Sequence, residues 1–419
     1  MKQKLLVWAD SPTAGTGFGT VSKYVLKALA SIFDIDVLAI NYTGEFVDKE
    51  KLPYQLVPAK LNNPQDPYGN QMFVNSLLTG KYDFVWIMND TFVVHKIGKE
   101  LSKVFDQLRE AKRKVPTVVY YFPVDCKVLA SATGMLESAD HVVAYCQFGK
   151  QEALKAMPSL ENKLSVITHG VDKSSFRKVN PAERKAARQQ LFKVTDDDTF
   201  VWMNVNRNSG RKDIARTILA FSEFKKTVPN SRLYLHTAIK DTTIDLSVAV
   251  QDLNLSLRDD IIFPGNGYGA HRPFPIEVLN AFYNSCDAFI TTTLGEGWGL
   301  THLDAATIEM PIVAPDNTCF PEQLDNGNRG YLYPCKEKVW VDNSGYRPLG
   351  SLDDIVNTMN QCYEDTISKR NLNKISAAKQ YIDTITWDKI GLQWIELFKK
   401  LQQERSTGAV KPKLVGVSL

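Results

Sequence analysis

The sequence predicts two α/β domains in tandem, each built on a parallel, doubly wound sheet of Rossmann-like type. Two observations support this prediction. Apolar runs of strand length alternate along the chain with segments whose apolar residues recur at helical spacing. In addition, a glycine-rich loop stands twice between an apolar run and a helix, once near the amino terminus and once at Gly295–Gly299. We therefore expect the two domains to face a cleft that binds a ligand.

The first domain is predicted to span residues 1–172. Its elements are a strand at Lys4–Ala9, a helix with Val21 to Ile32 on one face, a strand at Asp34–Asn41, an irregular loop at Asn62–Asn70, a strand at Tyr82–Met88, a helix at Ile97–Lys114, and strands at Pro116–Pro123 and Ala139–Ala144. The basic residues of the helix Ile97–Lys114 are most simply a solvated face, and a membrane-surface role is the alternative.

The second domain is predicted to span residues 173–386. Its elements are a helix over 180–193 with Asn180 as its cap, strands at Phe200–Val205, Leu233–Thr237, Ile261–Pro264 and Ala288–Thr292, helices over 213–227, 245–253 and 275–285, a helix from Leu300, a strand at Ile312–Ala314, and a helix from Leu352. The apolar face of the last helix, Trp387–Gln403, predicts that it packs back on the first domain, and residues 404–419 are predicted to form a mobile tail.

Composition favours a globular protein without a strong electrostatic partner. The 50 basic and 47 acidic residues leave a formal charge of +3, which gives no clear signal for nucleic acid or membrane. The six cysteines lack metal-ligand spacing, so we expect reduced thiols in a cytoplasmic protein, with attachment to a membrane surface as the alternative. No signal peptide or transmembrane segment is expected. Asp196–Asp198 is more simply a solvated turn than a metal site.

The second glycine loop has the pattern of an anion site. Gly295, Gly297 and Gly299 permit close backbone approach, and the helix that begins at Leu300 directs free N–H groups toward the loop. Glu296 and Asp304 lie eight positions apart across this unit. A phosphate at the helix terminus would leave Glu296 beside the group that the phosphate carries and Asp304 near hydroxyls on the other side, a layout that suits a nucleotide sugar. A glycine turn with a solvated Asp remains the alternative.

A loop with two cations follows the predicted strand Phe200–Val205. Arg207 and Lys212 lie in this loop just before a helix. If they face the start of the helix at Leu300, they would neutralise a diphosphate from the opposite side. Surface cations in a loop are the alternative.

Two features of the first domain suggest a ligand-facing edge. Gly15, Gly17 and Gly19 form a glycine loop that does not match dinucleotide-site spacing, so a tight turn before a helix is the alternative. Asp125 follows the strand Pro116–Pro123, where open α/β sheets bind ligands, and an Asp that caps the next helix is the other reading.

These separate features together resemble a known family. Gly295–Pro315 (GEGWGLTHLDAATIEMPIVAP), followed by FPEQLDNGNRGYLY, resembles the signature of the retaining glycosyltransferases of family 4, which have the GT-B fold. Arg207 and Lys212 are similar to the Arg and Lys with which that family holds the donor diphosphate. VITHGVDKSSF (Val166–Phe176) is similar to the family's interdomain linker, and AGTGFGT resembles its first glycine loop. The resemblance covers roughly residues 1–400 and is stronger in the second domain.

Three positions depart from the family pattern. Asp304 stands where the family has a second Glu, Met310 replaces the glycine before P-V-V, and Asp125 stands where members commonly carry a cleft His. The first two changes leave the diphosphate chemistry in place, whereas Asp125 leaves open which sugar is held and how. His169 and His302 are expected to be structural.

The resemblance implies transfer of a sugar from a nucleotide-diphosphate donor, most often a UDP-sugar, to a hydroxyl acceptor with retained configuration. No metal or other cofactor is required in such a mechanism. The expected site residues are Glu296, Arg207, Lys212 and Asp125 for catalysis; Gly17, Gly297, Trp298, Gly299, Leu300, Thr301 and Asp304 for the donor; and Gly15, Phe18 and Gly19 on the acceptor side.

The acceptor and two other classes of function remain open at this point. A glycan or lipid-linked sugar is the default acceptor, and a protein or a modified nucleic-acid base is the alternative. A GT-B epimerase or phosphorylase would share the donor site but differ in its dependence on an acceptor, on free phosphate or on pyridoxal phosphate. A non-catalytic protein that binds sugar nucleotides would bind donor without turnover.

Overall fold

The computed structural model of the chain describes residues 2–47, 52–60, 65–241, 244–265, 274–342 and 345–407. The chain divides into two compact units, the first formed by residues 1–170 and 387–419 and the second by residues 171–386. Val171 and Asp172, which the sequence analysis places in the first domain, therefore lie in the second unit. There the Val171 amide donates a hydrogen bond to the Ile385 carbonyl at 2.9 Å.

The first unit alternates strands and helices as its apolar pattern predicts. Its elements up to the linker are β1 (Gln3–Asp10), α1 (Gly17–Leu29), β2 (Phe33–Ile40), β3 (Gln55–Pro58), α2 (Asn70–Thr79), β4 (Phe84–Met88), α3 (Thr91–Glu110), β5 (Thr117–Phe122), α4 (Gly134–Ser138), β6 (His141–Ala144), α5 (Gln147–Ala156) and β7 (Leu164–Val166). The strands pair in parallel in the order β3-β2-β1-β4-β5-β6-β7. The carboxyl ends of β1 and β5 therefore lie at one edge, together with the glycine loop and Asp125 that follow them.

Several boundaries in the first unit differ from the predicted ones. Helix α3 begins at Thr91 rather than Ile97 and ends at Glu110, because Lys112 adopts a left-handed backbone with φ +53°. Helix α1 ends at Leu29, so Ile32 is not on its face. Residues 62–64 of the predicted loop lie outside the described residues. Asn70 is helical rather than part of that loop, because the Asp66 carboxylate accepts its backbone N–H at 2.9 Å.

The second unit contains a second parallel sheet. Its elements are α6 (Pro181–Phe192), β8 (Phe200–Val205), α7 (Ile214–Thr227), β9 (Ser231–His236), α8 (Leu246–Asp252), β10 (Ile261–Ile262), α9 (Ile276–Asn284), β11 (Ala288–Ile290), α10 (Leu300–Thr307), β12 (Ile312–Pro315), α11 (Phe320–Gln323), β13 (Tyr331–Tyr333), β14 (Glu337–Asp342), β15 (Gly345–Leu349), α12 (Leu352–Ile367) and α13 (Leu372–Thr384). The sheet order is β10-β9-β8-β11-β12-β13, and β14 and β15 form a separate antiparallel ribbon. The prediction of two doubly wound parallel sheets is confirmed.

Local capping explains where α6 begins. The Asn180 side chain accepts the Glu183 N–H at 2.9 Å while the Glu183 carboxylate accepts the Asn180 N–H at 3.2 Å, which confirms the predicted cap. Asp196 lies in an exposed turn, where its carboxylate accepts the Thr199 N–H at 2.6 Å.

The last helix, α14 (Trp387–Ser406), belongs to the first unit. The Trp394 ring lies 5.7 Å from that of Trp86, and the Phe398 ring lies 5.7 Å from that of Phe84, both edge to face. Aromatic packing on β4 thus holds the helix against the first sheet. The helix continues to Ser406, so residues 404–406, which the sequence analysis assigns to the tail, are helical; residues 408–419 of the predicted tail lie outside the described residues.

Two further properties bear on the class of protein. None of the described helices has both the length and the apolar character that crossing a membrane requires. All six cysteines are free thiols.

Truncation of the buried Trp394 tests the packing of α14. Trp394 is fully buried, so Trp394→Ala should lower the free energy of unfolding by about 4 kcal/mol through lost burial and a cavity. Leu392, which is 59% exposed on the same helix, provides the matched control. Leu392→Ala should change the free energy of unfolding by less than about 0.5 kcal/mol. Urea denaturation followed by circular dichroism measures both. Equal effects of the two substitutions would contradict the described packing.

Candidate donor site on the glycine loop of the second unit

The second glycine loop, residues 295–299, connects β11 to α10 in a conformation that needs glycine. Gly295 and Gly299 have φ of +147° and +79°, a region that side chains disfavour. A Cβ atom at Gly299 would also lie 2.7 Å from the Cε1 atom of His302. Helix α10 begins at Leu300, as predicted, so its free N–H groups follow directly after the loop.

Glu296 of this loop forms a buried ion pair with the cation loop after β8. The Lys212 ammonium contacts the Glu296 Oε1 atom, and the Arg211 guanidinium lies 3.3 Å from Oε2. The side chains of Glu296 and Lys212 are only 11% and 14% exposed. The ion pair thereby joins the loop after β8 to the loop after β11, and these two strands are neighbours in the sheet.

The ion pair keeps Glu296 ionised. Burial acts to raise the pKa of Glu296, but the charges of Lys212 and Arg211 and the hydrogen bond from Lys212 outweigh it and lower the pKa to about 2. At neutral pH the carboxylate therefore accepts hydrogen bonds and does not supply a proton.

Neighbouring side chains hold the loop backbone. Arg211 donates to the Gly295 carbonyl, which also accepts the Thr293 hydroxyl at 3.1 Å. The Glu296 N–H donates to the Thr318 hydroxyl at 3.0 Å. The loop is therefore positioned by residues from three separate segments.

Arg207 and Lys212, which the sequence pattern pairs, are not brought together on Glu296. Arg207 is 72% exposed, and its Nε atom lies 3.6 Å from the Asp241 carboxylate. Arg211 takes the place beside Lys212 in the Glu296 cluster, a role that the sequence analysis missed. The only available signal was its position next to Lys212, because the short 3₁₀ turn Gly210–Lys212 has no periodicity from which side-chain direction could be read.

Asp304 lies one turn into α10 and outside the Glu296 cluster. Burial raises the pKa of its carboxyl well above the usual value, and the nearby charge of Asp172 adds to this effect.

The other residues predicted for the donor side lie in the glycine loop or at the start of α10. The Trp298 side chain is 2% exposed and packs in the interior, so it does not present a ring to solvent. The Thr301 carbonyl accepts the Tyr283 hydroxyl at 3.0 Å. Gly297 lies in the loop beside Trp298, and Leu300 is the first residue of α10.

In the first unit, Asp10 holds the glycine loop after β1 through Thr16, and the sequence analysis did not single out Asp10. The Thr16 hydroxyl donates to Asp10 at 2.6 Å and accepts the Gly19 N–H at 2.9 Å, which caps α1. Asp10 is 6% exposed, and burial raises its pKa. Gly19 must be small, because a Cβ atom there would lie 2.3 Å from the Ala14 carbonyl oxygen.

The remaining predicted residues of the first unit surround this edge. Gly15 is exposed in the loop, Gly17 is the first residue of α1, and the half-buried Phe18 ring lies 6.5 Å from that of Tyr145. Asp125 is half-buried beyond the end of β5. A 3₁₀ turn first begins at Ala130, so Asp125 caps no helix.

The two histidines discussed above are buried and neutral. Burial lowers the pKa of His169 to about 3, and its ring packs 4.3 Å from that of Tyr145. Burial is also the main reason why the pKa of His302 is lowered to about 4. Within the described residues, no group of three or more His, Cys, Asp or Glu side chains is placed to hold a metal ion.

Comparison with known proteins shows which family model and which relatives this chain resembles. Residues 183–342 match the family model described as glycosyl transferases group 1. The chain is 21% identical over 270 residues to the alpha-maltose-1-phosphate synthase of Mycolicibacterium smegmatis. That alignment covers 64% of this chain and 64% of the relative, so less than two thirds of the relative is matched.

Solved structures resemble the chain over nearly its whole length. The sucrose-phosphate synthase from Thermosynechococcus elongatus gives a TM-score of 0.71 at 16% identity, over 96% of this chain and 100% of that one. Anabaena HepE in complex with UDP-glucose gives 0.69 at 17% identity, over 95% and 100%. At these identities the likeness shows a shared fold.

The ion pair predicts how stability depends on pH. The pKa of Glu296 is lowered from 4.5 to about 2, so its contribution is fully present above pH 4.5 and is lost as pH falls toward 2. The difference in unfolding free energy between the wild type and Glu296→Gln should therefore be constant from pH 5 to 7 and shrink below pH 4.5. Urea denaturation at a series of pH values measures it. A difference that stays constant down to pH 3 would show that the two cations do not hold the carboxylate ionised.

Proposed function

We propose that this chain is a retaining glycosyltransferase. Its residues 183–342 match the family model of glycosyl transferases group 1, and its fold is that of GT-B enzymes. It moves a sugar from a nucleotide-diphosphate donor to a hydroxyl acceptor. The observation that supports this most is the buried contact of Lys212 and Arg211 with Glu296 on the glycine loop before α10.

The donor diphosphate would occupy the region between the cation loop and the start of α10. Lys212 and Arg207 provide positive charge, and the N–H groups at Gly299–Thr301 provide hydrogen-bond donors at the positive end of the helix dipole. Lys212 is already held by Glu296, so it is preorganised for this contact. Arg207, which is exposed, is placed to move onto a bound phosphate.

The same groups would lower the barrier of the reaction. Negative charge develops on the diphosphate as its bond to the sugar breaks, and fixed positive groups stabilise that charge without reorganisation. Glu296, ionised at neutral pH, would accept hydrogen bonds from sugar hydroxyls and orient the anomeric carbon. In a front-face reaction the leaving phosphate takes the acceptor proton, so the enzyme needs neither a nucleophile of its own nor a metal. Asp304 would bind ribose hydroxyls.

Acceptor binding is assigned to the first unit. Gly15, Phe18 and Gly19 line the loop whose conformation Asp10 and Thr16 fix, and Asp125 lies beyond β5 at the same edge of the sheet. We propose a sugar hydroxyl of a glycan or a lipid-linked sugar as the acceptor. A UDP-sugar is the proposed donor, and the likeness to HepE, a protein solved with UDP-glucose, supports that choice.

A two-stage experiment tests the function. UDP-, GDP- and ADP-glucose are first compared by thermal shift, in which the donor should raise Tm by binding the folded state. Release of the nucleoside diphosphate is then measured with and without a panel of glycan and glycolipid acceptors, and NMR of the product reports its anomeric configuration. Release that depends on an acceptor, with a retained configuration, is expected. Binding without any turnover would favour a non-catalytic protein, and release of free nucleotide with an epimerised sugar would favour an epimerase.

Removal of each cation should slow the reaction. Lys212→Ala and Arg207→Ala should each lower kcat/KM by roughly a hundredfold or more, because each loses a group that stabilises charge in the transition state. Steady-state kinetics with the best donor measures both. Lys226 supplies the control, since it is 69% exposed on α7 and pairs with Glu223 of the same helix. Lys226→Ala should retain full activity. Activity close to that of the wild type in Lys212→Ala would refute the proposed mechanism.

A further inference from the structure

A chain of buried hydrogen bonds connects the glycine loop to side chains of α10 and α11. The Trp298 carbonyl of this loop accepts the Gln323 side-chain amide at 2.8 Å and the Cys319 thiol at 3.0 Å. The Gln323 carbonyl oxygen in turn contacts the His302 Nε2 atom. Gln323 and His302 are 1% and 2% exposed, so these bonds are shielded from water.

The chemistry of the partners fixes the direction of every bond. The Trp298 carbonyl is only an acceptor, so the Gln323 amide nitrogen must face it and the Gln323 oxygen must face His302. His302 therefore donates through Nε2–H, and its Nδ1 atom carries no proton. His302 and Gln323 thus form one oriented relay from α10 through α11 to the loop.

The relay also lies against the residue that precedes α10. The His302 ring lies directly behind Gly299, since a Cβ atom at Gly299 would be 2.7 Å from Cε1 and 3.0 Å from Nδ1. On the other side the ring packs 4.9 Å from that of Phe320. The imidazole is thus held between α11 and the residue that precedes the first free N–H groups of the helix.

We propose that Gln323 and His302 are positioning residues that hold the glycine loop, through the Trp298 carbonyl, in the conformation that binds the donor diphosphate. This inference rests on the proposed function and deepens it. Neither side chain has to touch the donor, because the relay acts on the backbone between Glu296 and α10.

The substitution Gln323→Glu, which keeps the size of the side chain, distinguishes positioning of the glycine loop from support of the fold alone. In Gln323→Glu the side chain keeps its shape and can still accept from His302, but as a carboxylate it has no hydrogen to give to the Trp298 carbonyl. Protonation of the carboxyl restores that hydrogen, and burial favours protonation at higher pH than for a free Glu. The charged groups that act on His302 are Glu296 and Lys212, and the pKa of Glu296, about 2, keeps its carboxylate ionised throughout the range tested.

Titration calorimetry measures the Kd for UDP-glucose at pH 5.5, 6.5, 7.5 and 8.5. At each pH the Kd of Gln323→Glu is divided by the Kd of the wild type. We expect about tenfold weaker binding at pH 8.5, from the loss of one buried hydrogen bond, and a ratio that falls toward one as pH falls. His302→Leu provides a second variant, with binding about threefold weaker and no added pH dependence.

Asn284→Asp is the matched control. Asn284 is another buried amide in the same unit, and its nitrogen donates to the Arg177 carbonyl at 2.9 Å, away from the glycine loop. The same amide-to-carboxylate change there should lower Tm but leave the Kd ratio near one at every pH.

Four outcomes would overturn the inference. A Kd ratio near one for Gln323→Glu at pH 8.5, or the same loss at every pH, would show that the relay supports the fold without positioning the loop. An equal pH-dependent loss in Asn284→Asp would show that the effect is general. If the wild type itself bound none of UDP-, GDP- and ADP-glucose, the proposed function would fail and the inference with it.

Discussion

The buried ion pair between Lys212 and Glu296 is the interaction on which the rest of the second unit depends. Its two residues are 84 positions apart and lie in loops that follow neighbouring strands, β8 and β11. Removal of two charges from water is costly, so such a pair is stable only when other groups satisfy the remaining hydrogen-bonding atoms. Arg211 meets this need by pairing with Glu296 and by donating to the Gly295 carbonyl.

This requirement explains why the glycine loop is so constrained. Glu296 reaches Lys212 only if the backbone on both sides turns through conformations that favour glycine, which Gly295 and Gly299 supply. The same turn places the start of α10 directly after the carboxylate. Charge pairing, backbone conformation and the position of the helix terminus are therefore consequences of one arrangement, and a change in any of them would displace the others.

The sequence predicted most of the fold and only part of the site, for a physical reason. Buried parallel strands are continuous apolar runs, so β4, β5 and β8 were visible, and the glycine loop located α10. Side-chain direction in irregular segments has no such pattern. Arg207 and Arg211 are four residues apart, and only the fold of the turn between them decides which one meets Glu296. Asp10 and Gln323 were missed for the same reason. Asn41 and Trp298, which bond to them, are 31 and 25 positions away in the chain, and backbone geometry brings them together.

Opposite physical causes fix the charge of the two buried titratable groups beside α10. Cations hold Glu296 ionised with a pKa of about 2, and burial holds His302 neutral with a pKa of about 4. Neither group changes charge between about pH 5 and 9, so the loop presents one constant electrostatic face to a donor in that range. Any pH dependence of the reaction near neutrality must then arise in the substrates or elsewhere in the chain. Burial raises the pKa of Asp304 on α10 and of Asp10 at the glycine loop of the first unit, so a dependence of that kind has a candidate group in each unit.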